Sequence, residues 1–69
     1  MAINIASERV KAGLEQKDLA EKLGTSVKTV SRWENGEVPP YGQKLVAMRE
    51  LFGCSIDYLL GVSEDRVAR

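Results

Sequence analysis

Between Gln16 and Gly36 the chain reads QKDLAEKLGTSVKTVSRWENG, and its polar residues are of the types that hold phosphates and base edges. Lys28 and Arg32 lie one helical turn apart, so a helix there projects both cations from one side. A guanidinium on that side can bond bidentately to guanine, a pairing worth roughly 1–3 kcal/mol of discrimination. Val27 offers an apolar surface to a thymine methyl. Gln16, with Lys17 beside it, opens a helical stretch, and the free N–H groups of a helix start attract phosphate oxygens. Asn35-Gly36 is a turn signal in which the Asn35 amide either donates to phosphate or caps the helix. Any exposed helix carries such residues. The types alone leave a recognition face and an ordinary solvated face equally open.

The elements that must position these residues follow from glycine punctuation and apolar spacing. Gly13, Gly24, Gly36, Gly53 and Gly61 sit at helix-ending intervals, and the segments between them carry helical periodicity. A first helix is expected over Asn4–Ala12, with Ile5, Ala6, Arg9 and Ala12 on one face. A second runs from Gln16 to Leu23 and turns Leu19, Ala20 and Leu23 inward. Ser26 is a good N-cap for the third. Val30 and Trp33 mark its buried side, and Val27, Lys28, Ser31, Arg32 and Asn35 fall on the opposite arc. Val38-Pro39-Pro40 must be extended, because proline disfavours helix before it and removes a donor. A fourth helix is expected over Gly42–Phe52, with Leu45, Met48, Leu51 and Phe52 inside. Ser55 caps a fifth, whose apolar face is Ile56, Leu59 and Leu60. After Gly61 the run SEDRVAR reads as a loosely ordered polar tail. The expectation is an all-α domain of five short helices over residues 1–62, followed by a tail or start of a linker at 63–69.

Composition bounds the function. Sixty-nine residues allow one small domain, and 29% charged residues with no long apolar run argue against a membrane protein. A single cysteine and no histidine leave neither an internal disulfide nor a Cys/His metal or catalytic pair, and point to a reducing cytoplasm. There is no nucleophile–base pair and no phosphate-cradling glycine loop, so an enzyme is not expected, nor a cofactor, a metal or a small-molecule ligand. Net charge is zero, which counts against a non-specific nucleic-acid clamp but not against specific binding. Locally the balance is positive: Lys17, Lys22, Lys28 and Arg32 stand against Asp18 and Glu21.

Other residues invite a reading. Arg9 and Glu34 each lie at the edge of an apolar face, and a buried charge demands a partner. They are expected to pair and to tie the first helix to the third. Trp33 beside Val30 suits core packing better than stacking on a base. Tyr41 is either a core lid or a phosphate contact. Cys54 precedes a capped helix, where a thiol pKa can be lowered, but without a histidine base a half-buried structural cysteine is the better reading. Leu59, Leu60 and Val62 serve either the core or a dimer contact.

The run LEQKDLAEKLGTSVKTVSRWENG resembles the helix-turn-helix of the phage repressor and Cro family, also called Xre-type. The likeness extends over residues 3–61, through Arg9 before Gly13-Leu14, Pro40 after the ENG signature, and the ending GCSIDYLLG. It implies a compact lambda-repressor-like fold, and a homodimer, or two domains, acting on a near-palindromic double-stranded DNA operator with the third helix in the major groove. By position it implies base contacts at Ser26, Val27, Lys28 and Arg32. Phosphate contacts are implied at Gln16 and Asn35 and in the loop Tyr41, Gly42 and Gln43. Arg9 and Glu34 match the family's buried ion pair. Glu15 departs from the usual Ser or Thr cap, Tyr41 stands where a capping Ser or Asp is typical, and Glu37 where lysine is common. Fewer cationic contacts imply weaker binding and a shallower salt dependence.

The expected function is therefore a sequence-specific DNA-binding transcriptional regulator, most simply a repressor, in a bacterial or phage-infected cytoplasm. The alternative is a protein-interaction module of the same fold, antitoxin-like or coactivator-like, which zero net charge and Glu15, Glu37 and Glu64 favour.

Overall fold

Serine hydroxyls start the third and fifth helices, and left-handed glycines end the second and fourth. The computed structural model describes residues 3–66 and places helices α1 Ile5–Lys11, α2 Gln16–Leu23, α3 Val27–Glu34, α4 Gly42–Phe52 and α5 Ile56–Leu59. The Ser26 hydroxyl accepts from Thr29 N at 3.2 Å, and the Ser55 hydroxyl from Tyr58 N at 3.1 Å. Each satisfies a donor that the first helical turn leaves without an intrahelical partner. At Gly24 the backbone turns left-handed, with φ at 67°, and Thr25 N returns to Ala20 O at 2.9 Å. That closure reverses the chain between α2 and α3 within a few residues. Among the described residues there is no strand.

The core collects one stripe from each helix. Ile5, Leu19, Ala20, Leu23, Val30, Trp33, Met48, Phe52, Cys54 and Leu59 are buried, and Ile3, Leu14, Leu45, Ala47 and Tyr58 pack against them in part. Helix α3 lies against α1 and α2, α4 against α2, and α5 against α4. Trp33 is the largest fully buried side chain, so α3 is anchored by its heaviest residue. Leu51, expected inside, is 38% exposed. Met48 and Phe52 already fill that side of α4, one turn apart, and Leu51 falls beside them rather than between. Ala12 is likewise exposed, as the cap just past α1.

The sequence reading missed a second buried charge. Glu8 on α1 is only 1% exposed. Its carboxylate accepts from Arg66 Nη2 at 2.7 Å and Nε at 3.1 Å, and from Lys11 Nζ at 3.4 Å. Arg66 also donates to the carbonyls of Phe52 at 2.6 Å and Gly53 at 3.4 Å, at the end of α4. The Arg66 carbonyl accepts from Ser55 N at 2.6 Å. Residues 63–66 are thus docked, not the loose tail expected, because the guanidinium meets both a desolvated carboxylate and the carbonyl end of a helix. Residues 67–69 of that expected tail lie outside the described residues.

Cys54 is buried outright rather than half-buried, and desolvation, helped by the nearby Glu8 charge, pushes its thiol pKa up. Its sulfur is core material.

Hydrogen bonds from Arg66 hold the Glu8 carboxyl below its ordinary pKa, against the opposing effect of burial, with the charges of Arg66 and Lys11 assisting. A carboxyl that titrates lower when folded stabilises fully above the ordinary carboxylate range. That stabilisation is lost as pH falls through the lowered folded value. Thermal unfolding followed from pH 7 to pH 2 should show a falling Tm, and Glu8→Gln and Arg66→Ala should each lower Tm at pH 7 and flatten the acid limb. A parent-like acid limb in both variants would show that Glu8 does not carry this dependence.

Candidate nucleic-acid interface

One carboxylate organises the helices behind the candidate surface. Glu34 Oε2 accepts from Arg9 Nε at 2.7 Å, and Oε1 accepts from Arg9 Nη2 at 3.3 Å and from Gln16 Nε2 at 3.0 Å. Arg9 Nη1 also donates to Leu14 O at 2.8 Å. The expected Arg9–Glu34 pair is present, and it is larger than expected, because Gln16 joins it. Glu34 therefore fastens α1 and the start of α2 to the end of α3. Arg9 and Glu34 side chains are 16% and 6% exposed, so the charges face each other with little competing water.

The opposite side of α3 is open. With Val30 and Trp33 turned into the core, Val27, Lys28 and Arg32 are exposed, whereas Ser31 is half-buried. Ser26 is exposed, but its hydroxyl is engaged as the α3 cap and lies 3.0 Å from Thr29 Oγ1. Arg32 reaches toward Glu37, with 4.0 Å between Nε and Oε2. Around this arc stand Lys17 at the start of α2, Asn35 just past α3, and Tyr41, Gly42 and Gln43 where α4 begins, all exposed. Tyr41 is 69% exposed and is no core lid.

Gln16 has a more constrained place than the sequence suggested. It is half-buried, and one of its two amide donors is committed to Glu34. The second amide hydrogen and the free N–H groups of the α2 first turn remain for an anion. At α2, Asp18 accepts from Glu15 N at 2.9 Å, which supplies half of a capping box where no Ser or Thr is available. Glu15 itself lies 3.6 Å from Lys17, so that cation meets a carboxylate before it meets any phosphate.

Sequence reasoning passed over Lys44. It stands in the first turn of α4, where the helix dipole disfavours a cation. The structure gives the reason: Lys44 Nζ donates to Leu23 O, at the carbonyl end of α2. An ammonium at the wrong end of its own helix is the signal that could have revealed it. Lys44 thereby ties α4 to the turn between α2 and α3.

Comparison with known proteins agrees with this geometry. A family model described as helix-turn-helix matches residues 5–59. The chain is 37% identical over 60 residues to repressor protein C2 of Salmonella phage P22, across 87% of this chain and 28% of that protein. It is 39% identical over 56 residues to the HTH-type transcriptional regulator ImmR of Bacillus subtilis, across 81% of this chain and 44% of that protein. The solved structure of the P22 c2 repressor protein in complex with a synthetic operator superposes with a TM-score of 0.78 at 35% identity, over 87% of this chain and 91% of that one. The chain thus spans less than half the length of these curated relatives.

Removing one partner of a buried pair strands the other in a low-dielectric site, at a cost of about 3–5 kcal/mol. Arg9→Met should fall at the low end, because Arg9 keeps some solvent contact and Glu34 retains Gln16. A loss of about 3 kcal/mol in chemical denaturation is expected. An unchanged midpoint and slope would mean that the network does not hold the helices.

Proposed function

The chain belongs to the helix-turn-helix family, and from that membership and the geometry of α3 we propose a sequence-specific DNA-binding transcriptional regulator that acts as a repressor. The observation that carries the reading is the division of α3 into two faces. Val30 and Trp33 lock the helix to the core, and Val27, Lys28 and Arg32 stand clear of it on the open arc. A helix held this way from behind can enter a major groove without the domain deforming.

Each residue then has a task. Arg32 and Lys28 donate to base acceptors, Val27 packs on a thymine methyl, and Ser26 meets the bases at the start of the helix. Gln16, Lys17 and Asn35, with the Tyr41-Gly42-Gln43 loop, hold phosphates on either side and set the register. Two copies on a near-palindromic operator place their α3 helices one helical turn of DNA apart. Repression follows where that operator overlaps a promoter, in the cytoplasm of a bacterial or phage-infected cell. No cofactor is needed for any of these contacts.

Selection of bound duplexes from a randomised pool tests the reading, and the spacing of enriched half-sites reports the dimer geometry. No enriched sequence at low salt would favour a protein partner on the same face, which zero net charge otherwise permits. On the enriched duplex, Arg32→Ala should relax preference at one base pair per half-site, a loss of about 1–3 kcal/mol of discrimination. Gln16→Ala should weaken all duplexes by a similar factor. Parent-like binding by both variants would refute these assignments.

A further inference from the structure

We infer that Glu37 is a positioning residue for Arg32 and so helps to determine base preference, an inference that rests on the DNA-binding reading above and deepens it. The end of α3 is closed by two backbone bonds. Gly36 N donates to Trp33 O at 3.2 Å, and Glu37 N donates to Arg32 O at 3.0 Å. Gly36 makes this possible with a φ of 75°, a conformation that side chains other than glycine's rarely adopt. The pattern is a Schellman closure, which folds the residue after the glycine back onto the residue that opens the last helical turn.

In such closures the two side chains that meet are commonly apolar. Here they are Glu37 and Arg32, with carboxylate and guanidinium 4.0 Å apart. The main chain therefore fixes where the Glu37 side chain departs, within reach of Arg32. Glu37 is not a distant surface charge that happens to lean toward Arg32.

The edge that Glu37 approaches matters. It faces Nε, and the terminal amino groups of Arg32 have no hydrogen-bond or ion-pair partner among the described residues. A carboxylate beside Nε holds the side chain while leaving the end of the fork to meet guanine O6 and N7. Arginine loses much rotamer freedom when it is ordered at an interface, and restraint before binding reduces that loss. Both side chains are more than half exposed, so the effect is modest, on the order of fivefold or less.

A plain acidic charge would act differently. It would repel every phosphate chain alike and weaken all duplexes by one factor. The test compares the duplex that the parent chain selects from a randomised pool with a random duplex of equal length. Glu37→Gln should reduce discrimination at one base pair per half-site by about threefold to fivefold, while random-duplex binding holds steady or tightens slightly. In the Arg32→Ala background the same substitution should leave base preference unmoved. Thermal stability should stay close to the parent's, since a loss confined to stability would mark a merely structural residue. Equal tightening on both duplexes would overturn the inference and leave Glu37 as simple repulsion. So would a change in base preference that persists without Arg32. Failure of the parent to select any duplex would overturn the DNA-binding reading and this inference with it.

Discussion

The arrangement of this domain turns on the Glu34 carboxylate. It sits at the last residue of α3, almost out of water, and accepts from Arg9 on α1 and Gln16 on α2. A desolvated carboxylate is costly unless its lone pairs are filled, and here partners from two other helices fill them. The consequence is geometric. The apolar contacts around Trp33 favour close approach but tolerate small rotations, whereas a bidentate guanidinium fixes direction. Arg9 sets the orientation of α3 relative to α1, and Gln16 sets that of the α2 start. The candidate phosphate site at α2 and the candidate base-reading arc of α3 are therefore linked through one side chain.

A second carboxylate, on the α1 residue next to Arg9, does comparable work for the end of α4 and the returning chain. Glu8 gathers Arg66 and Lys11, and Arg66 in turn caps the last carbonyls of α4. Helix α5 has only four residues, too short to hold itself by propensity. It is held by Leu59 in the core, by Asn4 N donating to Leu59 O at 3.1 Å, and by the returning strap at Ser55. A 69-residue chain has little apolar surface to spare. Two ionic clusters, each built on a carboxylate withdrawn from water, give it directional contacts that the small core cannot supply alone. Neither cluster uses the exposed residues of the α3 arc, whereas Gln16 belongs both to the Glu34 network and to the proposed phosphate contacts.

Much of this is legible in the sequence. Helix limits were readable because Ser26, Ser55, Gly24 and Gly53 act locally: a hydroxyl or a missing Cβ changes the conformation of its own few residues. The Arg9–Glu34 pair was readable because two charges each broke an apolar stripe. Glu8 was not, since its neighbours in sequence are polar and its partner Arg66 is 58 positions away. The face of α1 that it occupies is apolar only in three dimensions. Leu51 misled for the opposite reason, because four apolar residues on α4 compete for a core that admits two of them fully. In the candidate site, the identity of the outward arc was readable from Val30 and Trp33. The engagement of Gln16 with Glu34 was not, because it depends on how α2 packs against the end of α3. That of Lys17 with Glu15 and of Arg32 with Glu37 was not, because long exposed side chains choose partners by local geometry that residue types alone do not reveal.

These engagements change how affinity must be built. Two cations on the candidate surface, Lys17 and Arg32, stand beside carboxylates, and the whole chain is neutral. Binding of a phosphate chain gains chiefly from counterions released by unpaired cations, so a surface with few of them has a weak sequence-independent component. Base-edge contacts are less affected, because they depend on direction as much as on charge. In the proposed function, a domain built this way would lose more of its non-specific binding than of its discrimination, which suits a regulator that must ignore most duplex. On the proposed operator a second copy would supply tight occupancy, since two modest half-site contacts held together gain through effective concentration what a single neutral domain lacks.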